Sequence, residues 1–130
     1  MRVLPVTGRE SESRLAFAGL HQLLRPVLSR VTALPGRQAQ ALTGALGLSA
    51  DPGAPDPLLT GAAVLTLLSD LSGHSPVLVV ADDTHWLDRS SVEALAFAGR
   101  RCAPECVPSQ GRQVAGCHRH RSFSSLKSRR

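Results

Sequence analysis

Residues 76–101 read PVLVVADDTHWLDRSSVEALAFAGRR. Within them Val77, Leu78, Val79, Val80 and Ala81 form an unbroken run of small and β-branched apolar side chains that stops at Asp82 and Asp83. With no polar residue to mark an outward face, the run predicts a strand buried on both faces, the pattern of a parallel sheet. Ser90 and Glu93 form an S-x-x-E capping box, and Val92, Leu95, Ala96, Phe97 and Ala98 carry the helix it opens toward Arg101.

Working upstream, Asp56 and Pro57 pair as cap and first-turn residue of a helix in which Leu58, Ala62, Leu65, Leu68 and Leu71 recur at helical spacing, ending near Gly73 and Pro76. The segment SADPGAPD at 49–56 is a loop. Before it, residues 35–46 place Ala39, Leu42 and Leu46 on one helical face, with Gly47 as the stop. Phe17, Leu20, Leu24, Val27, Leu28 and Val31 predict an amphipathic helix kinked at Pro26. Val3, Leu4, Val6 and Thr7, closed by Gly8, predict a first strand, which Pro5 weakens by removing a ladder donor. The order strand, helices, strand, helix predicts an α/β fold with two parallel strands.

The chain has 130 residues, room for one core, with 42% hydrophobic and 19% charged residues. It contains no Ile, Asn or Tyr, and its 15 basic side chains include one Lys, a usage typical of GC-rich coding DNA. Charge is split: residues 1–99 hold 7 basic and 9 acidic side chains, a net of −2, whereas residues 100–130 hold 8 and 1, a net of +7. The second part also contains all 3 cysteines and only one of the leucines. Such a segment buries too little apolar area to offset ordering entropy, so 102–130 is expected to be a disordered basic tail. The N-terminus lacks a secretory apolar region and the apolar stretch 58–71 is too short for a bilayer, which predicts a cytoplasmic chain with no membrane contact.

Ligands of parallel α/β sheets gather at the carboxyl ends of the strands, where Asp82 and Asp83 stand. Neighbouring carboxylates at a strand exit point in different directions, so one can hold a hydrated metal ion and the other orient a water. The bland alternative is a turn followed by a cap, roles in which Asp is common.

Residues 76–101 resemble the Walker B region of the large ATP-binding regulators of the LuxR family, members of the AAA+-like, signal-transducing P-loop ATPases. ESESRLAFAGLHQLLRPVL at 10–28 resembles the segment that follows the second strand of those proteins, and GAAVLTLLSDLSGHSPVLVV at 61–80 resembles the helix leading into their Walker B strand. The resemblance covers residues 1–101 in the family's order. It implies a three-layer P-loop-type fold, ATP and Mg²⁺ as cofactors, Asp82 as the metal-associated carboxylate, Asp83 as the catalytic group that orients water, and His85 as a nucleotide contact. Trp86 and Leu87 match the same stretch and are read as packing residues, Asp88 as a helix cap, and Glu10 and Glu12 as solvated loop charges.

Two departures limit what this resemblance implies. A phosphate cradle of the form G-x-x-x-x-G-K-[ST] is absent, since the one Lys is Lys127, and so is a DNA-binding helix-turn-helix. The expected reading is therefore a partial ATPase domain over 1–101 that does not bind or hydrolyse ATP alone. DNA is a partner of the parent family only, through a domain this sequence lacks. The tail resembles GC-rich DNA translated in a shifted frame, as in a frameshifted or truncated gene product. With no apolar strand there, Val77–Ala81 would keep an open edge. An alternative is a small interaction protein that pairs with an intact homologous ATPase domain. Cys102, Cys106, Cys117, His118 and His120 are loosely finger-like, but no hairpin or helix pattern presents them as zinc ligands. The tail's positive charge predicts nonspecific binding to polyanions. Retention on heparin or duplex DNA should be independent of sequence and fall steeply between about 50 and about 200 mM salt; a sequence preference or stoichiometric zinc would contradict this reading.

Overall fold

A computed structural model describes residues 2–73, 75–102 and 113–117. Strands β1 (Arg2–Thr7) and β2 (Val77–Asp82) pair in parallel, in a register running from Arg2 with Val77 to Thr7 with Asp82. Between them lie α1 (Ala18–Leu24), a 3-10 stretch at Arg25–Ala33, α2 (Gly36–Ala45) and α3 (Pro57–Ser72); α4 (Arg89–Cys102) and β3 (Gln113–Cys117) follow β2. The mixed α/β class with a parallel pair is as expected.

Pro5 is tolerated because of ladder phase. The amides of Arg2 and Gly8 donate across to the carbonyls of Pro76 and Asp82, 2.8 and 2.9 Å, so even-numbered positions of β1 turn their N–H toward β2. Odd-numbered positions turn away, and the Thr7 amide meets the side-chain oxygen of Gln22 at 3.3 Å instead. Pro5 shares that outward phase on an edge strand, where its missing N–H costs no ladder bond.

Local signals placed most helix ends. Asp56 accepts from the Leu59 amide at 3.0 Å, with Pro57 in the first turn of α3. Gly47 takes φ +71° after α2, and the amides of Leu48 and Gly47 return to the carbonyls of Thr43 and Gly44, a Schellman closure. Pro26 does more than kink its helix. It ends regular α-helix at Leu24, and Val27 leaves helical geometry at φ −123° within a 3-10 stretch that still buries Val27 and Val31.

The core combines Leu4 and Val6 of β1, Leu20, Leu23 and Leu24 of α1, Leu42 of α2, Val64 and Leu67 of α3, Val77 and Ala81 of β2, and Ala94 and Ala98 of α4. The buried face of α3 differs from the expected one. Thr60, Ala63, Val64, Leu67, Leu68 and Leu71 are buried, whereas Leu58 is 66% exposed and Leu65 only half-buried. Because α3 is apolar around most of its circumference, contact with α2 and α4 selects the face. At Gly61 a Cβ would stand 2.9 Å from the Phe97 ring, so the missing side chain is what lets α3 and α4 approach.

Three expectations about the sheet require correction. First, β3 pairs antiparallel with β2, from Val77 with Cys117 to Ala81 with Gln113, so the edge of β2 is not open and the segment 113–117 is strand. The open backbone groups of β2 can be paired by a short segment without an apolar run, which is why its sequence did not announce it. Second, β2 is not fully buried on both faces: Val77 and Ala81 are buried while Leu78, Val79 and Val80 are half-buried. Third, the opposite face of β1 shows Val3 at 48% exposure and an exposed Pro5, so the described residues cover the sheet from one side and form two layers rather than three. Gly61→Val should force the ring of Phe97 out of place and lower stability by about 1–3 kcal/mol, read as a lower urea midpoint at unchanged slope.

Candidate active site at the carboxyl ends of the parallel strands

Asp82 is the last residue of β2, and strand alternation places it on the same face as Leu78 and Val80. It is half-buried, and its Oδ1 accepts from the Asp83 amide at 3.1 Å. Asp83 is exposed and turns the chain through left-handed backbone, φ 49° and ψ 49°. Its carbonyl accepts from the Trp86 amide at 2.9 Å, and that of Thr84 from the Leu87 amide at 3.2 Å, making a single 3-10 turn over Thr84–Trp86. His85 is exposed on this turn, its ring 5.0 Å from that of Trp86 at a 48° tilt.

The exit of β1 lies directly against this turn. A Cβ on Gly8 would overlap the Asp83 carbonyl oxygen and come within 2.9 Å of the Trp86 and Leu87 backbone, so no residue other than Gly fits there. Beside it, Thr7, Gly8, Arg9, Glu12, Trp86, Leu87 and Asp88 help line a shallow surface depression that encloses no room for a ligand. Asp82, Asp83 and His85 are not in its lining. Sequence neighbours thus share one strand exit without converging on an enclosed pocket.

The residues present fit Mg²⁺ better than ATP. Two hard carboxylates match the way Mg²⁺ is held, by one or two protein carboxylates with water and substrate phosphates completing the shell. Among the described residues no group of three or more His, Cys, Asp or Glu converges as a metal site. For ATP, the sequence has no Gly-rich loop of the form G-x-x-x-x-G-K-[ST] to surround the phosphates. Of the finger-like tail residues, Cys106, His118 and His120 lie outside the described residues.

Asp88 is the residue whose role the sequence understated. It is only 3% exposed, and it caps α4 by accepting from the Ser91 amide at 2.9 Å. Helix α4 starts at Arg89, so the anticipated Ser90–Glu93 box is not the cap; Glu93 instead pairs with Arg89 at 3.0 Å on the surface. The same Asp88 carboxylate accepts from the amides of Phe17 and Gly19 at 2.7 and 2.9 Å, and the buried Ser91 hydroxyl oxygen accepts from the Leu20 amide at 2.8 Å. One carboxylate therefore serves the first turns of two helices, favourable for a negative charge at both positive ends. Phe17 is held there at φ 62°, a conformation that costs a non-glycine residue roughly 1–2 kcal/mol. Asp88 caps α4 as expected from the sequence, but nothing local to it announced amides 71 and 69 residues away.

No helix among the described residues is long and apolar enough to cross a membrane. No protein-family model, curated protein or solved structure matches the chain.

Asp88→Ala would leave the amides of Phe17, Gly19 and Ser91 without their acceptor. It should lower unfolding free energy by about 3 kcal/mol or more, against about 1–2 kcal/mol for Ser91→Ala, measured by urea denaturation. Equal, sub-kilocalorie losses would contradict the assignment of these bonds.

Proposed function

We propose that residues 1–101 are a partial ATPase domain of the LuxR-type regulators, a P-loop-type unit whose parent role is to bind ATP·Mg²⁺ and couple it to transcription control. The observation that carries this reading is the acidic pair Asp82–Asp83 at the carboxyl end of an apolar strand, beside a parallel neighbour. In that reading Asp82 associates with the hydrated Mg²⁺, Asp83 orients the attacking water, and His85, exposed on the turn, contacts the nucleotide. Asp83 and His85 are exposed and Asp82 half-buried at one strand exit, which is compatible with those roles. The missing phosphate cradle means that the chain alone neither binds nor hydrolyses ATP usefully, because carboxylates cannot replace backbone amides and a Lys around phosphate oxygens.

A second reading, pairing with an intact homologous ATPase domain, is favoured by the uncovered sheet face of Val3, Pro5, Leu78 and Val80. Strand addition along β2 does not serve it, since β3 occupies that edge. Zinc or nucleic-acid binding by the tail depends mainly on residues outside the described ones.

Titration with a fluorescent ATP analogue and Mg²⁺ should give no saturable micromolar binding to the chain alone. Adding a homologous segment that carries G-x-x-x-x-G-K-[ST] should produce Mg²⁺-dependent binding that Asp82→Ala removes. Binding that Asp82→Ala leaves intact would refute the metal assignment. Co-purification with a full-length homologue, without nucleotide dependence, would favour the pairing reading instead.

A further inference from the structure

The turn that carries Asp83 and His85 leads without an intervening residue into the carboxylate that fastens α1. Its two hydrogen bonds, Trp86 amide to Asp83 carbonyl and Leu87 amide to Thr84 carbonyl, make 83–87 a compact unit rather than a loose loop. Asp88 then holds the amides of Phe17 and Gly19, and Ser91 that of Leu20, so three donors at the start of α1 are bound to residues one turn apart in the segment that follows β2. There is little slack in this junction. A Cβ at Gly19 would stand 2.9 Å from Leu87 Cδ2 and 3.3 Å from Asp88 Oδ1, and a Cβ at Gly8 would overlap the Asp83 carbonyl. Phe17 and Asp83 are the non-glycine residues with positive φ among the described residues, and they stand at the two ends of the junction.

We propose that Asp88 and Ser91 form a relay that passes displacement of the 83–87 turn to α1, making α1 the output element of whatever engages the acidic strand exit. A segment tied by short hydrogen bonds and held at close glycine contacts transmits a shift instead of absorbing it. Strained backbone at both ends supplies the second arrangement that a relay requires: when the turn moves and the Asp88 bonds lengthen, Phe17 is free to leave its left-handed conformation. The inference does not depend on the nucleotide reading, since it concerns the turn and α1 whatever the occupant. Coupling of this kind is reciprocal, so disturbing α1 must be felt at the turn.

Amide hydrogen exchange by NMR on the full chain tests the relay from one side and Trp86 fluorescence from the other, because Trp86 is the single Trp and sits on the turn. Asp83→Val puts a β-branched residue where φ is 49°, a conformation it strongly disfavours, and so displaces the turn. It should speed exchange at Phe17 and Gly19 about tenfold while the α3 amides of Val64 and Leu67 keep their wild-type rates. In the Ser91→Ala background the Leu20 amide should already exchange fast and show no further response, whereas Phe17 and Gly19 still respond. Conversely, Gly19→Ala should shift the emission maximum of Trp86 in the folded protein. Wild-type exchange at Phe17 and Gly19 in Asp83→Val overturns the relay, as does acceleration of the same size in α3, which would mark global destabilisation. Unchanged Trp86 emission in Gly19→Ala overturns its reciprocity.

Discussion

The buried carboxylate of Asp88 joins parts of the chain that share no local sequence. By accepting from the amides of Phe17, Gly19 and Ser91 it satisfies donors that two helix starts would otherwise leave unpaired beneath the surface. Helix α1 packs on β1 and α4 follows β2, so the bond network also holds the exits of the parallel strands side by side. Gly8 and Gly19 are the steric counterpart of this constraint: each is small where the backbone or side chains of residues 83–88 pass closest. Without that approach the acidic turn would have no fixed position relative to β1.

The sheet shows a different balance. One face is sealed by a core running from Leu4 and Val6 to Ala94 and Ala98, and the other leaves Val3 and Pro5 in contact with solvent. Parallel strands usually bury both faces, because the crossover connections place helices over them. Here the described residues supply that cover once. The edges are better managed: β3 pairs the far side of β2, and Pro5 removes a donor from the outer side of β1, where strand addition would begin.

The acidic strand exit combines exposure with order. Asp82 is anchored by the Gly8 amide on its carbonyl and by the Asp83 amide on its carboxylate, while Asp83 and His85 remain open to solvent. This arrangement can present carboxylate oxygens to a cation, yet the adjoining depression is too shallow to enclose a ligand. What chemistry it supports therefore depends on groups brought to it.

The sequence by itself determined the features whose causes lie within a few residues. The run Val77–Ala81 specified a strand, the pair Asp56–Pro57 a helix start, Gly47 a helix end, and Asp82–Asp83 the position of the acidic exit, because dihedral preference, capping and side-chain periodicity act locally. Tertiary structure decided the rest. Nearly uniform apolarity left the face of α3 undetermined until α2 and α4 packed against it, and backbone pairing brought Gln113–Cys117 to β2 with little side-chain signal. The second helix served by Asp88 lay beyond any local pattern, since its amides are 69 and 71 residues away. Contacts at such separations are selected by which donors and surfaces the whole fold leaves unsatisfied, a quantity no short window of sequence contains.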